Sequence, residues 1–198
     1  MSQLAFRDSD GNTIAPPEWL RMWADRFPIR RFPDEEHDSL MAKHESLSAV
    51  DFERIGRWKD AATSEGKWKP DIASVAYDIW MQAASELPRC PPERLVADFL
   101  QHWSERKHTV RGVPKRFGLA RATTLLYFIS GGRFPIFDSR VRRAMRRLLS
   151  SAAPNTARWY LDSYCPLFSE IVALCIGDAR TVDKALFSFG DRSLTFPR

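Results

Sequence analysis

Apolar residues in this chain recur at intervals of three and four and show no sustained alternation, which commits most of the backbone to helix. In KWKPDIASVAYDIWMQAASEL the apolar side chains fall at 72, 75, 76, 79, 80 and 83, one stripe of a helix that begins near Asp71. EWLRMWADRF (18–27), with Pro17 before it, CPPERLVADFLQHWSERK, the stretches 119–129 and 139–150, and TARWYLDSYCPLFSEIVALCIG read the same way, the last broken at Pro166. LMAKHESLSAVDFERIGRWKDAAT reads as two helices with Ser48 capping the second, and TVDKALFSFGDR as a final helix capped by Thr181. PIRRFPDEEHDS reads as a connection. FPIF is the nearest approach to a strand, and one strand makes no sheet. The expected fold is all-α, about eight to ten helices in two lobes with a cleft where the lobes meet.

Nothing in the composition divides the chain, so residues 1–198 are expected to form one unit, with an irregular arm over 1–17 and closing helices over 155–192. No apolar run nears the roughly 18–20 residues that span a bilayer, and the first residues, MSQLAFRDSDGN, lack the basic-then-apolar order of a secretory signal. Cys90, Cys165 and Cys175 fit a reducing cytoplasm, and no Cys/His spacing suggests a metal. A cytoplasmic monomer without cofactor or metal is the expectation.

Charge is distributed very unevenly. Between Arg106 and Arg147 there are twelve Lys and Arg against one acid, Asp138, a local charge of +11 in a chain of net charge +5, so the remainder carries −6. Neutralised phosphates release counterions, so such asymmetry is the footprint of a polyanion-binding face; a solvated basic helix is the plainer reading. Within the run, RGVPKRFGLARA places Gly118 before Leu119 and Ala120 at a helix start, where backbone N–H groups suit a phosphate, with Lys115, Arg116 and Arg121 around them. Twenty residues on, the apolar FPIF delivers Asp138 to SRVRRAMRRL. An aspartate there serves as an N-cap, and it can also oppose developing positive charge on a sugar. A catalytic role predicts a side chain open to a groove lined by the 112–121 turn. A purely capping role predicts both oxygens taken by N–H groups around 140–141.

Residues 112–147 resemble the helix–hairpin–helix and Gly/Pro-Asp signature of the endonuclease III-type DNA glycosylase superfamily, and the segment of interest covers about 106–150. FPIFDSRVRRA matches the family's pattern around its catalytic Asp: Asp138 falls on that position, Ser139 on a Thr, Arg140 on a His, and Val141 and Arg143 on the following apolar and basic positions. Gly118 falls on the second glycine of the hairpin and Ala122 on a small residue of its second helix. The resemblance implies DNA-backbone contacts by Lys115, Arg116, Phe117, Gly118, Leu119, Ala120, Arg121, Arg140 and Arg143. It also implies a base pocket between lobes that takes aromatic residues from the N-terminal half, with Trp58, Trp68 and Tyr127 as candidates. His102 and His108 read as surface residues.

Two departures shape the expectation. Arg116 stands at the hairpin's first glycine position, and Ala120 stands where members with lyase activity carry a nucleophilic Lys. Without that amine no Schiff base forms. The implied activity is a monofunctional DNA glycosylase, acting on double-stranded DNA with a damaged or modified base and leaving an abasic site. Repair and defence against modified phage DNA both fit. The rival readings are a non-catalytic helix–hairpin–helix DNA-binding protein and an all-α protein whose basic face binds RNA or an acidic protein.

Overall fold

The apolar stripes fold as helices: the computed structural model, which describes residues 4–60, 70–86, 93–110 and 113–191, is all-α apart from one small hairpin among those residues. No helix among them is long and apolar enough to cross a membrane. The chain divides into two compact units, one from residues 1–27 and 135–198, the other from 28–134.

The discontinuous unit is organised around its last helix. Its elements are α1 (Pro16–Ala24), α7 (Ser139–Leu149), α8 (Ala157–Trp159), a π turn (Tyr160–Tyr164), α9 (Cys165–Cys175) and α10 (Ala179–Gly190). Two prolines start α1 and bury Trp19, Leu20 and Trp23 on one side. Trp19 and Trp23 both set their edges against Phe189 of α10, at 5.5 and 5.1 Å between ring centres. On its other side α10 meets α7 so closely that a Cβ on Gly190 would lie 1.8 Å from the Arg140 carbonyl oxygen. The arm is tied down as well: Ala5 N–H donates to Leu148 O at 2.8 Å, and the Trp23 indole donates to Arg7 O at 3.1 Å.

The continuous unit contains α2 (Asp34–Met41), a 3-10 turn (His44–Ser46), α3 (Ala49–Asp60), α4 (Pro70–Glu86), α5 (Glu93–Glu105), strands β1 (Lys107–Val110) and β2 (Val113–Arg116), and α6 (Leu119–Ile129). Residues 122–128 of α6 are all buried, so this helix has no solvent stripe and forms the core against α4 and α5. Ser48 and Asp51 cap the start of α3 reciprocally, the Asp51 carboxylate accepting from Ser48 N–H at 2.9 Å.

Four details differ from the reading of the sequence. DEEHDSLM is helical rather than a connection: three acids in its first turn favour the helix dipole, and His37 and Leu40 bury one face. The 111–117 turn contains the second strand of an antiparallel hairpin, in which Lys107 faces Arg116 and His108 faces Lys115. KHTV and VPKR carry no apolar alternation, so no period of two announces them. The last helix starts three residues earlier than expected, capped by Asp178 rather than Thr181; the Asp178 carboxylate accepts from Thr181 N–H at 2.8 Å and from the Thr181 hydroxyl. Pro166 causes no break, because it sits in the first turn of α9 and the chain before it runs through a π turn.

Candidate nucleic-acid site

Asp138 stands at the end of a buried extended link. Phe134, Pro135, Ile136 and Phe137 are all enclosed, which leaves peptide carbonyls without solvent. The π turn supplies partners: the Tyr160 hydroxyl donates to Pro135 O at 2.8 Å and the Tyr164 hydroxyl to Ile136 O at 3.1 Å. The Phe137 ring lies 4.8 Å from Tyr164, 5.4 Å from Trp159 and 5.9 Å from Tyr160. Burial pushes both phenols well above the ordinary tyrosine value. For Tyr164 the charges of Asp183, Cys165 and Asp138 add to it, and for Tyr160 the neighbours are Cys165 and Tyr164. Both phenols therefore stay protonated donors.

The Asp138 side chain caps α7. Its Oδ1 accepts from Arg140 N–H at 2.8 Å and from Val141 N–H at 3.0 Å, and the residue is 8% exposed. Both capping bonds fall on the same oxygen. An amide oxygen at the same place could make the same two bonds without the charge.

The arginines of α7 are less available than their number suggests. Residues 140, 143 and 147 share one helix face and turn onto the end of α10. Arg140 pairs with Asp191 at 2.7 Å and covers the Phe187 ring, Arg143 donates to Gly190 O at 2.8 Å, and Arg147 donates to Phe189 O. These carbonyls form the negative end of a helix, where cations are favoured. Burial, and then the charge of Arg143, hold Arg147 below the usual arginine value. Of the remaining pair, Arg146 is exposed and Arg142 half-buried.

The other predicted phosphate contacts lie in the continuous unit. Lys115 and Arg116 are exposed on β2, and Lys107 is exposed opposite Arg116. Phe117 and Leu119 are buried, and Ala120 is half-buried. Gly118 adopts a φ of 88°, a conformation that suits glycine, and no side chain caps α6. The N–H groups of Phe117 and Gly118 are taken by Arg106 O at 2.7 Å and Ser104 O at 2.9 Å. Those of Leu119 and Ala120, the first in α6, have no acceptor among the described residues. Arg121 folds back to donate to Phe117 O at 3.0 Å.

Trp58 and Tyr127 share a buried aromatic cluster around a residue that the sequence did not single out. His37 accepts from or donates to the Tyr127 hydroxyl at 2.7 Å through Nε2, and its Nδ1 lies 2.8 Å from Asp38 Oδ1. The His37 ring centre is 5.8 Å from Trp58 and 5.7 Å from Tyr127. His37 lies in a stretch that reads as polar loop, and no local signal marks it. Tyr160 and Tyr164 were also missed, although their spacing of four puts them on one helix face. Trp68 lies outside the described residues, as does Cys90, and so does the His108 side chain. Among the described residues no group of three or more His, Cys, Asp and Glu is placed to hold a metal ion. No protein-family model matches the chain, no curated protein matches its sequence and no solved structure matches its fold.

Proposed function

We propose that this chain is a monofunctional DNA glycosylase that hydrolyses the bond between a damaged or modified base and its deoxyribose. The observation that carries the reading is the setting of Asp138: one carboxylate in a stretch of local charge +11, held at the end of a buried link. When the C1′–N bond breaks, its electron pair leaves with the base and the sugar takes on oxocarbenium character. Asp138 stabilises that positive charge and takes a proton from the water whose oxygen bonds to C1′; the base leaves with the bond's electron pair and takes its proton from solvent, to which Asp138 returns the one it received. The nucleotide must leave the stack first, at roughly a few kcal/mol, offset by contacts to the backbone. Lys115 and Arg116 are the candidates for those contacts, because they are exposed. With Ala120 rather than an amine at the helix start, the product is an abasic site and an intact strand.

A second reading has its own support. The burial of Asp138 and its cap bonds are what a structural aspartate would show, and they favour a non-catalytic DNA-binding protein. One set of variants separates the two. Duplex DNAs carrying alkylated, oxidised or phage-type modified bases are incubated with the protein and assayed for alkali-labile sites. Asp138→Asn keeps the cap and is expected to leave stability and DNA affinity near wild type, while base release falls about 10²-fold or more. Asp138→Ala loses the cap and about 1 kcal/mol of stability. Base release that survives Asp138→Asn removes Asp138 from the chemistry, and no release from any modified duplex leaves the binding protein.

A further inference from the structure

We propose that Tyr160 and Tyr164, presented by the π turn, are positioning residues that hold the Asp138 carboxylate in its working orientation; this rests on the glycosylase reading. Capping a helix asks only for a side-chain oxygen within reach of the N2 or N3 amide. Here each of the four residues 135–138 is fixed separately. The Pro135 carbonyl is held by Tyr160 and the Ile136 carbonyl by Tyr164. The Phe137 ring lies against Trp159, Tyr160 and Tyr164, and Asp138 is fixed by the two amides of α7. Locking a functional group from behind through packed and hydrogen-bonded neighbours is what pre-organisation requires.

The device is built from an uncommon backbone form. A π turn is a rare departure from the α-helix and is found disproportionately at functional sites. This one spans Tyr160–Tyr164, and the two tyrosine rings lie 5.8 Å apart, so both phenols reach the link together. Two buried hydroxyls are a costly way to fill a core that phenylalanine would fill equally well, unless their bonds serve a purpose.

Tyr160→Phe, Tyr164→Phe and the double variant keep the rings and remove only the hydroxyls. Two measurements test the proposal, one of them independent of any activity. In the full-length protein, hydrogen exchange at the Arg140 and Val141 amides, the donors to Asp138, should speed up about tenfold in the double variant, while amides in the middle of α10 keep their protection. In single-turnover base release, each variant should be about 10- to 100-fold slower with DNA affinity within twofold of wild type. In the Asp138→Asn background the tyrosine substitutions should change residual release no further, because they act through Asp138. Unchanged exchange at the two amides overturns the proposal, as does a tyrosine effect of the same size with and without the carboxylate. If the wild type releases no base, the glycosylase reading fails by itself, and the exchange experiment still decides whether the tyrosines hold Asp138.

Discussion

At the foot of α6, Lys115 and Arg116 stand exposed on a hairpin that leads into a helix with no side-chain cap. Along α7, Arg140, Arg143 and Arg147 turn inward onto Asp191 and the last carbonyls of α10, and the helix start is closed by Asp138. In the sequence the two stretches form one continuous basic run. In space one presents its charge to solvent, and the other uses it to hold two helices together. A count of positive charge therefore overstates the surface open to a polyanion. The cross-strand pair Lys107 and Arg116 sharpens the contrast: like charges directly opposite in a ladder repel, and at the surface a bound anion can relieve that repulsion. The α7 arginines repel one another as well, but Asp191 and the last carbonyls of α10, within the same unit, already relieve them.

The largest expected effect comes from the joint that α7 and its arginines serve. Gly190→Ala drives a methyl group into the Arg140 backbone carbonyl, and the neighbouring atom cannot rotate away. A loss of about 3 kcal/mol or more is expected in denaturant unfolding. A midpoint near wild type would mean that α7 and α10 approach less closely than described.

Next in size is Arg143→Ala, which leaves the Gly190 carbonyl without its charged donor and should cost about 1.5–3 kcal/mol. Its salt dependence of DNA binding, measured on folded protein, should match wild type. The pair Lys115→Ala and Arg116→Ala should do the reverse, with stability within about 0.5 kcal/mol of wild type and a salt slope lower by about two. Equal slopes for the two sets of variants would erase the distinction between the basic stretches.

The smallest effect concerns acid. Arg54 in the continuous unit is held by carboxylates rather than carbonyls, two bonds of 2.9 Å to Glu36 and one of 3.1 Å to Asp51. The hydrogen bonds to Arg54 lower Glu36. For Asp51, burial acts upward but is outweighed by Ser48, Lys43 and Arg54, so it too lies below its ordinary value. Acids depressed in the folded state stabilise it fully above their unfolded values, about 4, and lose that contribution as pH falls through the folded ones. The destabilisation by Arg54→Ala should therefore shrink between pH 7 and pH 3. Urea midpoints at the two pH values check it.

The boundaries of α6 and α7 could be read from sequence because apolar periodicity, a glycine at one start and an aspartate at the other all agree there. The aspartate's capping role followed from the same local chemistry. What could not be read depends on distant partners. Nothing near Arg143 in the chain reveals that its acceptor is the carbonyl of Gly190, and nothing near His37 points to Tyr127, ninety residues away. The hairpin escaped for a different reason: its two four-residue strands are short and carry no apolar alternation. α2 was hidden by its polarity, since only His37 and Leu40 of its eight residues are buried.

The edge contacts of Trp19 and Trp23 with Phe189 have a consequence for biosynthesis. On the ribosome α1 emerges long before α10, so two large indoles wait without their partner while the continuous unit is made and can already close. α1 is thus translated before the continuous unit and enclosed after it. During that interval the nascent chain shows a sticky aromatic face, the kind of surface that holding chaperones recognise.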